Sequence, residues 1–433
     1  MPANHNPVTP RRKFIYDSWI QWWQNGIAIA LSVSLILIGI GRIETETGAG
    51  SISAWSVSRT TFFFWLVLKV ALLVRDRRAP RLVLPRAAIA PIYVFFLVVS
   101  SSLLPDFRAA GDYRYFAFAC VHAVMVADVF TERRRLRLIV LALGILPGVL
   151  VVRGLVDNPA ILSLDLAQRF AFPLDHPNTA GFIFSLTLPL GLWCVVIAKG
   201  WLRVLAVISC FLQLAALLLT YSRISWIAAT VSLIAYALLS KHWKSMIVIA
   251  LPITIAVFVV PALRNRTLSL TDPLRDASIS ERLSLTGDAL RVGSERPLLG
   301  VGYGRGRVKD ALRELRRGTA FENKPLLHTH NVYTELFAGT GLLGLGAFLW
   351  LIAVALYRSI CSALRSNPQS ALGVALASSW IAMIICGFGD VPFFHHETRI
   401  LLFTLFALII NSCRLAEYMP ESQCSDRTLQ GLK

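Results

Sequence analysis

HNVYTELFAGTGLLG, residues 330–344, decides how this chain is read, because a long polar segment there enters an apolar helix. If Asn331 caps or opens that helix, the residues from His330 to Gly341 make about three turns, so both fall on one face, with Gly344 close to it. Lipid offers no hydrophobic reward for helix association, so glycines at this spacing mark close approach to a neighbouring membrane helix. Gly341 and Gly344 are therefore expected to be packing positions. His330 is expected to point into a bundle and not into lipid.

The rest of the chain fits a membrane setting. Of 433 residues, 55% are hydrophobic and the mean hydropathy is +0.61, against about 45–50% apolar residues in soluble domains. Runs suited to crossing about 30 Å of hydrocarbon lie at 27–40, 62–74, 87–104, 113–130, 136–152, 180–198, 201–220, 224–239, 246–263, 332–357, 371–388 and 400–413. The second is short and carries Lys69. The expectation is an all-α integral membrane protein of about twelve transmembrane helices, with one long, partly helical loop between helices 9 and 10. Residues 1–263 would hold nine spans, 264–331 the loop domain, 332–413 three more spans and 414–433 a tail.

Lys and Arg total 43 against 25 acids, a net charge of +18. In a soluble chain that balance would suggest nucleic acid; here the cations follow topology. One set of alternate loops contains Arg75, Arg77, Arg78, Arg81 and Arg86, then Arg133, Arg134, Arg135 and Arg137, while the other set holds Glu44, Glu46, Asp106, Asp112, Asp157, Asp165 and Asp175. By the positive-inside bias both termini are cytoplasmic and the long loop faces outside. Nucleic acid is therefore set aside as a partner, and membrane lipids are the expected surroundings. Arg11, Arg12 and Lys13 precede an apolar run with no small-residue cleavage site, so a retained first span is expected. The seven cysteines are scattered singly and none has metal-ligand spacing.

Chemistry is expected in the outward segments. His330 with Asn331 could act as a general base with an orienting amide, since imidazole titrates near neutral pH; the bland alternative is a satisfied polar residue at a helix start. His328 competes for the same role. Glu335 lies about 140° around the helix and is a poor direct partner. Arg223, after a very short hairpin, and Arg282, in the long loop, could clamp a diphosphate with their guanidinium forks. Snorkelling or solvation would explain them equally well. The first turn near Ser222 would add a positive dipole end. In DHPNTAG (175–181) Pro177 restricts its neighbour and Asn178 can cap a helix, leaving His176 a structural role. The glycines of GVGYGRG (300–306) suit a tight turn better than a phosphate cradle, because the segment lacks a P-loop ending. RVKDALRELRR (307–317) has the pattern of a helix lying on an anionic surface. His395 and His396 are adjacent and point to different sides, so no metal is expected. Lys69, His122 and Asp128 are too few for a transport relay across the membrane.

These residues resemble a known pattern. His330 and Asn331, nine residues, Gly341, two residues and Gly344 fit the H-[N/S/Q]-x9-G-x-x-G signature of lipopolysaccharide O-antigen ligases. YSRISW (221–226), SERLSLTGDAL (280–290) leading into PLLGVGYG, and HPNTAG are similar to segments of the O-antigen ligase and polymerase superfamily. The resemblance implies an inverting glycosyltransferase of the bacterial inner membrane that needs no metal or other cofactor and has its site facing the periplasm. Its donor would be O-antigen on undecaprenyl diphosphate, and its acceptor a sugar hydroxyl of lipid A-core. His330 matches the catalytic histidine, and Arg223 and Arg282 match the donor-binding arginines. Where relatives often carry an aromatic residue this chain has Thr286 or Gly287, which leaves Arg291 as an alternative to Arg282. An O-antigen polymerase or a protein O-oligosaccharyltransferase would share donor and base. A lipid-linked glycan transporter or scramblase is the contrasting reading.

Overall fold

The computed structural model describes residues 10–40, 43–44, 51–52, 54–76, 86–101, 110–163, 168–171, 174, 176–241, 259–268, 277–319, 322, 328–365, 370–391 and 395–417. It is helical, apart from a two-residue antiparallel pair, Ile43–Glu44 with Ser51–Ile52. The helices are α1 (Pro10–Ile40), α2 (Ala54–Asp76), α3 (Arg86–Ser101), α4 (Ala110–Val129), α5 (Arg133–Asp157), α6 (Pro177–Ile197), α7 (Trp201–Leu219) and α8 (Arg223–Ser240). They continue with α9 (Pro261–Leu268), α10 (Ala277–Glu295), α11 (Arg305–Arg316), α12 (Val332–Ala363), α13 (Ser370–Cys386) and α14 (His396–Glu417). A helix stands at every expected span except 246–263, most of which lies outside the described residues, as does the tail beyond Glu417. Seven of these helices carry stretches long and apolar enough to cross a membrane, and shorter apolar helices stand beside them. The second span, doubtful by length, is a helix of 23 residues whose Lys69 is paired with Asp128 of α4 at 2.6 Å.

Small polar residues set how closely the central helices approach. The Ser185 hydroxyl of α6 donates to the Ser225 carbonyl of α8 at 2.9 Å, and Ser232 of α8 donates to the Ser378 carbonyl of α13 at 2.9 Å. Such bonds supply the close contact that lipid cannot drive. They fix the first turn of α8 beside the start of α6 and the end of α13.

The long polar segment folds on a second, smaller core. Leu285, Ala289 and Val292 of α10, Val308 and Leu312 of α11, and Ala338 of α12 are buried against one another. Arg316 closes this unit through Asp288 at 2.7 Å, with its guanidinium also 3.3 Å from the Ser284 hydroxyl. The expectation of a surface-lying helix at 307–317 is corrected here, because the apolar face of α11 is used inside the loop domain. Its outward Arg313 and Arg317 pair with Asp310 and Glu314.

The expectation of one continuous helix from Asn331 past Gly341 is also corrected. α12 breaks at Gly341, where φ is 63° and ψ −165°. The cause is the segment at 297–302, which lays its backbone across the break. Leu342 N–H donates to the Pro297 carbonyl at 2.7 Å and Leu343 N–H to Leu298 at 3.3 Å; in return Val301 N–H donates to Ala338 at 2.8 Å and Gly302 N–H to Gly339 at 2.9 Å. The groups freed by the break are thereby satisfied, as buried backbone requires. A Cβ on Gly341 would collide with the Leu298 backbone, and one on Gly300 (φ 66°) would come within 2.5 Å of the Ala338 carbonyl. The turn reading of GVGYG holds: the glycines carry positive φ and the turn docks on α12. Tyr303 anchors it in the bundle, its ring 6.3 Å from Phe95 and 5.9 Å from Phe116. Gly341 therefore receives a loop, while the atoms nearest to a Cβ on Gly344 would be those of Thr340 in the same helix.

Candidate functional site

The start of α12 is tied to the end of α13. Val332 N–H donates to the Gly387 carbonyl at 2.8 Å, which brings the residues before α12 beside Asp390. Asn331 is the N-cap, its Oδ1 accepting from Tyr333 N–H at 2.9 Å and Thr334 N–H at 3.3 Å. Its role is thus to cap, and His330 stands just outside the helix. Thr329 is held as well, its N–H donating to Glu335 at 3.0 Å and its hydroxyl to the Asn331 carbonyl at 2.9 Å.

With both neighbours pinned, His330 is forced to φ 55°. A non-glycine residue in that region costs on the order of 1–3 kcal/mol. Its Nδ1 is buried and makes no hydrogen bond to the described residues. Burial lowers its pKa below the ordinary imidazole value, and the charge of Arg282 adds to this, while the Asp390 carboxylate opposes it. His330 is therefore neutral at pH 7 and can accept a proton.

His328 and Asp390 complete an array. The His328 and His330 rings lie 4.1 Å apart at 62°, and His328 Nδ1 accepts the His330 backbone N–H at 3.2 Å. His328 Nε2 faces Asp390 Oδ1 at 3.8 Å. Burial would raise the Asp390 carboxyl, but His328, the Val391 N–H, His330 and His395 together hold it below the usual carboxylate range. The metal-binding atoms of His328, His330 and Asp390 lie within 4.8 Å of one another, so among the described residues this trio could hold a cation.

Arginines face this array. Arg223 is the first residue of α8, 9% exposed, behind Ser222, whose side chain makes no capping bond. Arg282 of α10 donates to the Gly389 carbonyl at 2.9 Å. Arg169 donates to the Thr220 carbonyl at 2.8 Å and Arg266 of α9 to the Tyr221 carbonyl at 3.2 Å. The tight turn between α7 and α8, with Tyr221 at φ 50°, directs those carbonyls outward. Burial, then the charges of Arg266, Arg282 and Arg223, push the Arg169 guanidinium down to about 10. Four guanidiniums thus converge on the positive end of α8, an arrangement suited to a polyvalent anion.

The structure brings Arg223, Arg282, His328 and His330 together and leaves Arg291 out: its side chain is exposed on α10, about half a turn from the Arg282 face. His176 lies at the rim of the same charge cluster and caps α6 with its own Nδ1, which accepts Asn178 N–H at 3.1 Å. Its pKa is lowered, first by burial and then by Arg169 and Arg282 against the opposing Asp390. Asn178 is consequently not the cap. Reasoning from the sequence passed over Arg169, Arg266 and Asp390.

Residues 208–349 match the family model described as O-antigen ligase. That segment runs from α7 to the middle of α12 and contains Arg223, Arg266, Arg282, His328 and His330. Arg169, His176 and Asp390 fall outside it. No curated protein matches the chain.

Proposed function

We propose that this chain is an O-antigen ligase, a reading supported by the match of residues 208–349 to that family's model. It is an inverting, metal-independent glycosyltransferase that moves O-antigen polysaccharide from undecaprenyl diphosphate to a sugar hydroxyl of lipid A-core. The observation that carries the reading is the buried Nδ1 of a neutral His330 beside convergent arginines. Both substrates are lipid-anchored, which suits a site at the periplasmic end of a multi-pass protein of the bacterial inner membrane.

In this mechanism the arginines bind the donor diphosphate and receive the charge released when the anomeric C–O bond breaks, so the leaving group needs cations more than a general acid. His330 takes the proton of the acceptor hydroxyl as the new glycosidic bond forms on the opposite face of the sugar, and a positioned base contributes about 10² to 10⁴-fold. The imidazolium then returns its proton to the departing undecaprenyl diphosphate. Asp390 acts through His328, whose Nδ1 holds the His330 backbone.

The test is reconstitution: purified protein, undecaprenyl-diphosphate glycan and lipid A-core, without nucleotide and with chelator present. Full-length lipopolysaccharide is expected. Growth of the lipid-linked glycan without ligation would make the chain a polymerase, transfer to protein alone would make it an oligosaccharyltransferase, and the loss of all transfer in chelator would remove the metal-independent mechanism.

A further inference from the structure

The turn at 297–303, part of the long polar segment, stands at membrane depth. Arg86, Arg133 and Arg358 belong to the cation-rich loops at the end of the bundle away from the site, and the helices that leave those loops measure the height of the turn. Tyr303 packs on Phe95, about 14 Å along α3 from Arg86, and on Phe116, about 20 Å along α4 from Val129, just before Arg133. Gly341, which the turn crosses, is about 26 Å along α12 from Arg358. All three heights fall short of the roughly 30 Å of hydrocarbon that the helices must span. Counted from the site side, the turn thus lies about 4 to 16 Å inside the hydrocarbon.

Two features of the turn suit that depth. Backbone in hydrocarbon has no water to bond. Here Gly300 N–H donates to the Arg296 carbonyl at 2.8 Å, Val301 and Gly302 donate to Ala338 and Gly339, and the Pro297 and Leu298 carbonyls accept from Leu342 and Leu343. The side chains of Leu298 and Leu299 meanwhile face outward, 61% and 49% exposed, beside the exposed Leu342 and Leu343. That exposed stripe continues along α12 through Gly346, Leu349 and Trp350 with no charged side chain, so the leucines of the turn extend the lipid face of a membrane span. Arg296, exposed and just before the turn, has the reach to return its charge to the headgroups. We propose that residues 297–303 are a re-entrant turn whose Leu298 and Leu299 lie among the acyl chains of the leaflet nearer the site. The α10–α11 unit is then seated in the bilayer by its own apolar foot, and the foot fixes the height of His330, which stands at the head of α12 about 14 Å from Gly341. The inference depends on the helices crossing a bilayer and not on the reaction assigned to the site.

The test places a diazirine amino acid by amber suppression at Leu298, Leu299, Arg313 or Leu349 of the full-length chain. Each protein is held in nanodiscs of phosphatidylethanolamine and phosphatidylglycerol, irradiated, and its photoproducts are read by mass spectrometry. All four positions are exposed, so the replacements leave the packing intact. Acyl-chain adducts are expected at Leu298 and Leu299 in the proportion seen at Leu349 on the lipid face of α12, with water adducts dominant at Arg313 on α11. Water adducts at Leu298 and Leu299 in the proportion seen at Arg313 would overturn the proposal. Adducts to a second copy of the chain would overturn it too, since the leucines would then be a protein interface.

Discussion

Charged side chains in this molecule follow two opposite plans. Lys69 and Asp128, from α2 and α4, sit 2.6 Å apart, and the Trp65 indole donates to the same carboxylate at 2.9 Å. Each charge there is cancelled by its neighbour. At the head of α8, Arg169, Arg266 and Arg282 are held by the backbone carbonyls of Thr220, Tyr221 and Gly389, with Arg223 beside them. Carbonyl dipoles orient these guanidiniums, and burial first, then the charges of Arg266, Arg282 and Arg223, depress Arg169. The nearby carboxylate, Asp390, is turned to histidine. The α2–α4 pair joins opposite charges, whereas the head of α8 gathers charges of one sign, the arrangement that the proposed diphosphate donor calls for.

The sharpest way to break that contrast is at the base. His330→Ala is expected to lower transfer by about 10² to 10⁴-fold while leaving thermal stability near that of the parent, since His330 makes no side-chain hydrogen bond at Nδ1 and its loss relieves a strained backbone only in part. Substantial retained kcat in a single-turnover assay would remove the general-base role. Next in size is Arg223→Lys, which keeps the charge and loses the fork. A drop of about 10- to 100-fold in donor kcat/KM is expected. Donor affinity equal to that of the parent would mean that Arg223 merely snorkels.

The helices were legible because apolar runs and charge bias both constrain them; His330 and Arg223 drew notice because they sit where polar segments meet those runs, and Arg282, inside the long loop, through the resemblance. Other features depend on contacts remote in sequence. Spacing alone put Gly341 on a helix face with His330; the break there is imposed by residues 297–302, which no periodicity reveals. Arg282 and Arg291 are nine residues apart, a separation that says they face opposite ways but not which one faces in. Arg169 and Arg266 did leave a signal, since an arginine in a segment assigned to the outside runs against the charge bias. Asp390 left a weaker one, a lone acid closing an apolar run.

A smaller effect sharpens the electrostatics of the array. Asp390 raises the His330 pKa against burial and Arg282, so its loss lets that pKa fall further. A base with a lowered pKa is active above it and fails as pH drops through it. Asp390→Asn is therefore expected to move the acid limb of the kcat/KM profile to lower pH, with only a modest loss at pH 7, where His330 is neutral in both proteins. An acid limb that stays put or moves upward would show that Asp390 does not act through the histidines.

The smallest expected effect on activity is at the other pole of the comparison. Lys69→Met leaves the Asp128 carboxylate with Trp65 alone in an apolar setting, and removing one partner of a buried pair costs about 3–5 kcal/mol; with side-chain exposures of 14% and 23% the lower end applies. Replacing both, Lys69→Met with Asp128→Leu, removes the orphaned charge and should restore most of the lost melting temperature, because apolar residues of similar size often substitute for an ion pair without loss. Transfer by the folded double variant should match the parent, since the pair stands on α2 and α4, which contribute none of the arginines or histidines of the site. A relay that coupled ion movement to glycan transport would behave in the opposite way. The double variant would then fold and fail, and the pair would belong with the arginines among the working charges of the molecule.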